Sequence, residues 1–160
     1  VNLTQVDIWG LEARGDIQWD NGFSLTVSAA FADGEQTTQG VKTELASVDP
    51  IKLVGGLNYA APSGVWGGSA IVTWSDRKDS ATFNMPCASA CYLGEDFTLL
   101  DVTAYWNVTE RATLRAGAFN VFDETYGWWS DVRGLSAAST VKDAYTQPGR
   151  NFGVSLTLRL

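Results

Sequence analysis

Apolar and polar residues alternate with a period of two along most of this 160-residue chain, the mark of strands with one greasy and one polar face. From Trp9 to Trp19 the odd positions Leu11, Ala13, Gly15 and Ile17 are apolar or small, and the even positions Glu12, Arg14, Asp16 and Gln18 are polar. Asp20-Asn21-Gly22 reverses the chain, and Phe23, Leu25, Val27, Ala29 and Phe31 then alternate with Ser24, Thr26 and Ser28, which predicts a hairpin. The same alternation predicts strands over Ile51–Tyr59, Trp66–Trp74, Leu100–Val108, Leu114–Phe122 and Phe152–Leu160.

The seven strands are joined by two kinds of connection. Asp20-Asn21-Gly22, Ala61-Pro62-Ser63-Gly64 and Thr109-Glu110 are short turns; Asp33 to Pro50, Asp76 to Asp96 and Asp123 to Gly149 are long loops. Strict alternation of short and long connections puts all short turns at one end of the sheet, as in an outer-membrane β-barrel with periplasmic turns and external loops. Nowhere do about 18 apolar residues run together, which excludes a spanning helix but not a spanning strand. Trp9 and Trp19 share a face ten residues apart, about 33 Å of strand or about 24 Å of height at a 45° tilt, close to the apolar band of such barrels. Trp66, Trp74 and Trp106 extend the expectation of aromatic anchors at both headgroup levels. Seven strands are too few to close a barrel, and an open edge in lipid is not viable, so further strands are expected before Val1.

Charge and composition narrow the functions. Eleven Lys plus Arg against eighteen Asp plus Glu give a net charge of −7, which argues against a nucleic-acid partner. Histidine is absent, so the chain alone supplies no Ser-His-Asp triad, no Cys-His dyad and no His-ligated zinc or haem. Acidic neighbours such as Glu95-Asp96 and Asp123-Glu124 read as solvated loop residues rather than an acid–base pair, and the expectation is a protein that is not an enzyme. Cys87 and Cys91 share a long loop with three residues between them and read as a small disulfide ring; two thiols without further ligands make no metal site. Tyr126, Trp128, Trp129 and Arg133 cluster beyond the sixth strand. They fit either an aromatic girdle at the outer headgroup level or a ligand surface, with rings to stack on a porphyrin or a protein and Arg133 to pair with a carboxylate.

Several stretches resemble the TonB-dependent outer-membrane receptors, and among them the haemoglobin, haem and transferrin receptor group. These are Leu99-Leu100-Asp101-Val102-Thr103-Ala104-Tyr105-Trp106, the run from Leu114 through Asn120-Val121-Phe122-Asp123 to Tyr126, Trp128-Trp129-Ser130-Asp131-Val132-Arg133-Gly134-Leu135, and Tyr145-Thr146-Gln147-Pro148-Gly149-Arg150-Asn151-Phe152. The resemblance implies that residues 1–160 are the C-terminal portion of an all-β, antiparallel 22-stranded transmembrane barrel, about its last seven strands, with the plug and earlier strands upstream. It further implies uptake of haem, or of iron from haem- or iron-carrying proteins, across the bacterial outer membrane. Outer-membrane lipid, the carrier protein and the TonB energy-coupling complex would be the partners, haem the transported ligand, and no cofactor would be held by this fragment. A ferric siderophore or cobalamin receptor is the alternative within the same class. A soluble β-rich ligand-binding module is the alternative of another class, and it would bury Leu156 and Leu158.

Overall fold

A computed structural model describes residues 5–79 and 90–159. Cys87 therefore lies outside the described residues, as does the terminal Leu160. The strands are β1 (Gln5–Gln18), β2 (Phe23–Thr38), β3 (Val41–Glu44), β4 (Lys52–Ala60), β5 (Trp66–Ser75), β6 (Phe97–Thr109), β7 (Ala112–Phe119) and β8 (Asn151–Leu158). A short helix α1 (Trp129–Val132) and a 3-10 turn (Lys142–Tyr145) lie between β7 and β8. The sheet runs β1-β2-β4-β5-β6-β7-β8 with every neighbour antiparallel, β3 folds back on β2 alone, and among the described residues the sheet does not close.

Register turns the alternation of each strand into two continuous faces, because paired residues project to the same side. One row of pairs runs Leu11–Phe31, Val27–Gly55–Val72–Leu100, Leu57–Ala70–Val102–Ala118 and Trp66–Trp106–Leu114–Leu156. The opposite face carries Arg14–Ser28, Asp16–Thr26, Asn58–Ser69–Thr103 and Arg115–Ser155. Polar groups on that face are satisfied laterally: Arg14 pairs with Asp16 at 3.1 Å, Thr26 Oγ1 donates to Asp16 at 2.7 Å, and the Ser69 and Thr103 hydroxyls lie 2.7 Å apart.

The apolar face is uncovered, with Leu156 60% and Leu158 65% exposed. A sheet of this size with a bare apolar face needs an apolar solvent rather than water. A soluble module would have buried these two side chains, so the structure disfavours that alternative.

Two features depart from the periodic reading. The stretch beginning at Asp33, read as loop, instead continues β2 to Thr38 and turns through Gln39 (φ 52°) and Gly40 (φ 79°) into β3. Both faces are polar there, so the period-two signal vanishes although the backbone ladder continues. Conversely, β7 stops at Phe119 instead of reaching Phe122, because Asn120 takes a positive φ of 49° and its side chain captures the backbone beyond it.

Both ends of the wall are latched. At the short-turn end Asn107 Nδ2 donates to the Gly64 carbonyl at 2.7 Å, and Thr113 Oγ1 donates to Asn107 Oδ1 at 2.8 Å. Gly67 allows close approach, since a Cβ there would sit 2.5 Å from the Tyr59 carbonyl oxygen. The long-loop end holds most of the buried apolar residues: Val48, Phe97, Leu99, Trp129 and Val132.

Candidate functional site

The long-loop rim is where side chains of different loops converge. Phe97 pairs with Ser75, which pairs with Lys52, so all three project to the polar face. On Phe97 stack Tyr126, with ring centroids 4.6 Å apart, and Trp128, at 5.1 Å; Tyr126 and Trp128 meet edge-on at 5.7 Å. The Lys52 ammonium lies 4.3 Å from the centre of a Trp128 ring, a cation–π contact. This cluster is thus built on the polar side of the wall, away from the apolar face that carries Trp66 and Trp106.

Trp129 is the buried member, 5% exposed, and its indole N–H donates to the Ala46 carbonyl at 2.7 Å. That bond ties the third long loop to the first. A second tie reaches the second loop: Tyr92 N–H donates to the Leu135 carbonyl at 2.8 Å, and Cys91 bridges Ser136. The three loops are therefore one interlocked cap rather than three separate fingers. Of the four residues singled out in the sequence, Tyr126 and Trp128 are half-buried and touching, Trp129 is sealed beneath them, and Arg133 is exposed at the end of α1.

The base of the third loop is closed by a side-chain clasp. Asn120, 3% exposed, donates through Nδ2 to the Glu124 carbonyl at 2.8 Å and the Pro148 carbonyl at 3.3 Å, while its Oδ1 accepts the Glu124 N–H at 2.9 Å. Its own N–H donates to Asp101 Oδ1 on β6 at 2.8 Å. Asp123 accepts the Arg150 N–H at 2.8 Å and the guanidinium at 3.2 Å. The Arg150 backbone N–H, more than its side chain, holds the Asp123 carboxyl below the usual carboxylate range.

A cleft of about 220 Å³ opens between the second and third loops, lined by Tyr92, Glu95, Tyr126, Val132, Lys142 and Asp143 among others. The Lys142 ammonium lies 4.9 Å from the Tyr92 ring centre. Burial, and then the negative charge of Glu95 and Asp143, push the Tyr92 hydroxyl up from its ordinary value; burial does the same to Tyr126, helped by Asp101. Among the described residues no group of three or more His, Cys, Asp or Glu is placed to hold a metal ion.

On the apolar face the tryptophans fall into two rows. Trp66 and Trp106 pair directly at the short-turn end, where Tyr59 stacks on Trp66 at 4.9 Å and on Phe23 at 4.7 Å, with Trp19 beside Phe23. Trp9 packs edge-on against Phe31 at 5.1 Å, and Trp74 pairs with Leu53 and Thr98, both toward the long-loop end.

Residues 1–121 match the family model described as TonB dependent receptor-like, beta-barrel. The chain belongs to this family. Its members are β-barrels of the bacterial outer membrane that act as transporters and not enzymes, which accounts for the bare apolar face and the one-sided placement of the long loops.

Among its relatives is the hemoglobin-haptoglobin utilization protein B of Neisseria meningitidis serogroup C, 29% identical over 97% of this chain and 22% of the relative. The transferrin-binding protein A of Neisseria gonorrhoeae is 24% identical over 99% of this chain and 21% of its own length. Among solved structures, the copper transporter OprC superposes with a TM-score of 0.75 at 19% identity, over 96% of this chain and 24% of that one, a likeness of fold. The chain thus spans about a fifth of the length of these relatives.

The sequence reading overlooked Lys52, Asp101 and Asn120 as parts of the loop assembly. Asn120 had a usable signal, an Asn with Asp123 three residues on, which is turn chemistry. Lys52 had none, because its partner Trp128 is distant in the chain.

Proposed function

We propose that this chain forms part of the wall and outer cap of a receptor that takes haem, or iron, from a carrier protein and imports it with energy from the TonB complex. The observation carrying this reading is likeness along nearly the whole chain to proteins named for haemoglobin-haptoglobin utilization and transferrin binding. The geometry supports it with a lipid-suited wall on one side and a preorganised cap on the other. Haem enters here as cargo rather than as a resident cofactor.

Within the cap, Tyr126 and Arg133 offer ligand contacts, and Trp128 and Trp129 hold the surface that presents them. Trp9, Trp19, Trp66, Trp74 and Trp106 anchor the wall at the two headgroup levels. Cys87 and Cys91 form a small ring that stiffens the second loop; the peptide that carries both would take up maleimide only after reduction.

The functional test is growth of the source bacterium, with and without the gene, on haemoglobin, transferrin or a ferric siderophore as sole iron source. Loss of growth on haemoglobin or transferrin alone supports the reading. Loss on the siderophore alone replaces it with the siderophore alternative.

A further inference from the structure

The cleft between the second and third loops has the chemistry of a site for one positively charged side chain. Its volume of about 220 Å³ lies below the range of drug-sized ligand pockets, ~300–1,000 Å³, and suits a single extended side chain. Two rings, Tyr92 and Tyr126, and the apolar Val132 form walls against which an alkyl stem packs. Glu95 and Asp143 supply negative charge, and among the described residues neither lies within salt-bridge distance of a Lys or Arg.

A cation already sits in the cleft. Lys142 places its ammonium 4.9 Å from the Tyr92 ring centre, yet its hydrogen bond, at 3.3 Å, goes to the Ala137 carbonyl and not to either carboxylate. The ring is thus taken by a tethered ammonium that makes no ion pair with either acid. Lys142 and Asp143 share a 3-10 turn whose hydrogen bonds, among the described residues, stay within the third loop.

We propose that this cleft receives a lysine or arginine side chain of the carrier protein, and that Lys142 is a resident stand-in displaced when the partner docks. The proposal rests on the reading of the protein as a receptor for a protein carrier and names the chemistry by which the cap grips it. An incoming cation would pair with Glu95 and Asp143 and stack on Tyr92, gains that Lys142 does not realise from its own backbone.

The test uses the purified full-length receptor in detergent. Affinity is measured for haemoglobin and for transferrin, each native and with its lysines acetylated, on wild type, Lys142→Met and the double variant Glu95→Gln/Asp143→Asn. For whichever protein binds, the double variant is expected to lose about tenfold in affinity, and Lys142→Met to gain severalfold. Affinities within twofold of wild type for both variants overturn the proposal.

A second readout needs no carrier. With 3-fluorotyrosine at position 92, arginine methyl ester is expected to shift the fluorine resonance in wild type, at lower concentration in Lys142→Met, and not in the double variant. Should neither protein bind wild type while the ester still shifts the resonance, the carrier reading fails and the cationic cleft stands. No shift in any form, or an equal shift in the double variant, sinks the cleft itself.

Discussion

Replacing Asn120 with Ala removes the clasp at the base of the third loop at one stroke. The lost groups are two side-chain donations, at 2.8 and 3.3 Å, and one acceptance at 2.9 Å, all at a residue only 3% exposed. A buried partner left unpaired costs about 1–3 kcal/mol. The 3.3 Å bond is the weakest of the three, and Glu124 is only partly buried, so about 2–4 kcal/mol is expected from hydrogen bonding.

Backbone conformation adds to this, because φ is 49° at position 120 and Ala tolerates that region less well than Asn by about 1 kcal/mol. The total is roughly 3–5 kcal/mol of local opening, or hydrogen exchange faster by about 10² to 4 × 10³, at ~1.4 kcal/mol per factor of ten. The assay is hydrogen–deuterium exchange of the full-length receptor in micelles, read at the Glu124 and Arg150 amides. Asn120→Gly separates the two causes, since it keeps the positive φ and loses the hydrogen bonds. It is expected to be less damaging than Ala by the backbone share. Exchange at Glu124 within threefold of wild type in the Ala variant would refute the clasp.

Trp129→Phe keeps the buried ring but loses the donor to the Ala46 carbonyl, so amides of the first loop, Leu45 and Val48 among them, should exchange about tenfold faster. Gly67→Ala sets a Cβ 2.5 Å from the Tyr59 carbonyl oxygen and should lower the urea midpoint of the folded barrel by an amount equivalent to about 1–3 kcal/mol. The control Gly55→Ala, on a strand paired on both sides and with nothing within 4 Å of its new Cβ, should leave that midpoint in place. The Asp123 carboxyl is depressed in the folded protein, so its contribution is present above the ordinary carboxylate value, about 4, and is lost as pH falls through its lower folded value. Protection of the Arg150 amide, taken relative to its intrinsic exchange rate, should accordingly fall below about pH 4 in wild type and show no such step in Asp123→Asn.

The wall was legible in the sequence because parity is unforgiving. A one-residue slip would send Leu11, Val27, Val72 and Leu156 to the wrong face, so alternation alone fixes which side each strand presents. Where both sides of a strand face water the signal is gone, and for that reason Gln36 to Glu44 passed for loop although it is a backbone hairpin. The Trp128-Trp129 run and Tyr126 announced themselves by residue type. Their division into a sealed Trp129 and a half-buried Trp128 depends on Ala46 and Lys52, residues about 80 positions away that carry no local mark. The clasp was half legible: Asn120 and Asp123 form turn chemistry, but their partners Pro148 and Arg150 meet them only once β7 and β8 have paired.

The central claim is that the continuous apolar face meets lipid while the opposite face and the cap meet water. It is tested most directly by spin labels placed one at a time along β8, from position 151 to 158, in the full-length receptor in bilayers, with accessibility to oxygen and to a nickel chelate measured at each. The account predicts high oxygen and low nickel accessibility at 152, 154, 156 and 158, and the reverse pattern at 151, 153, 155 and 157. Uniform nickel accessibility along the strand, or alternation in the opposite phase, would contradict it.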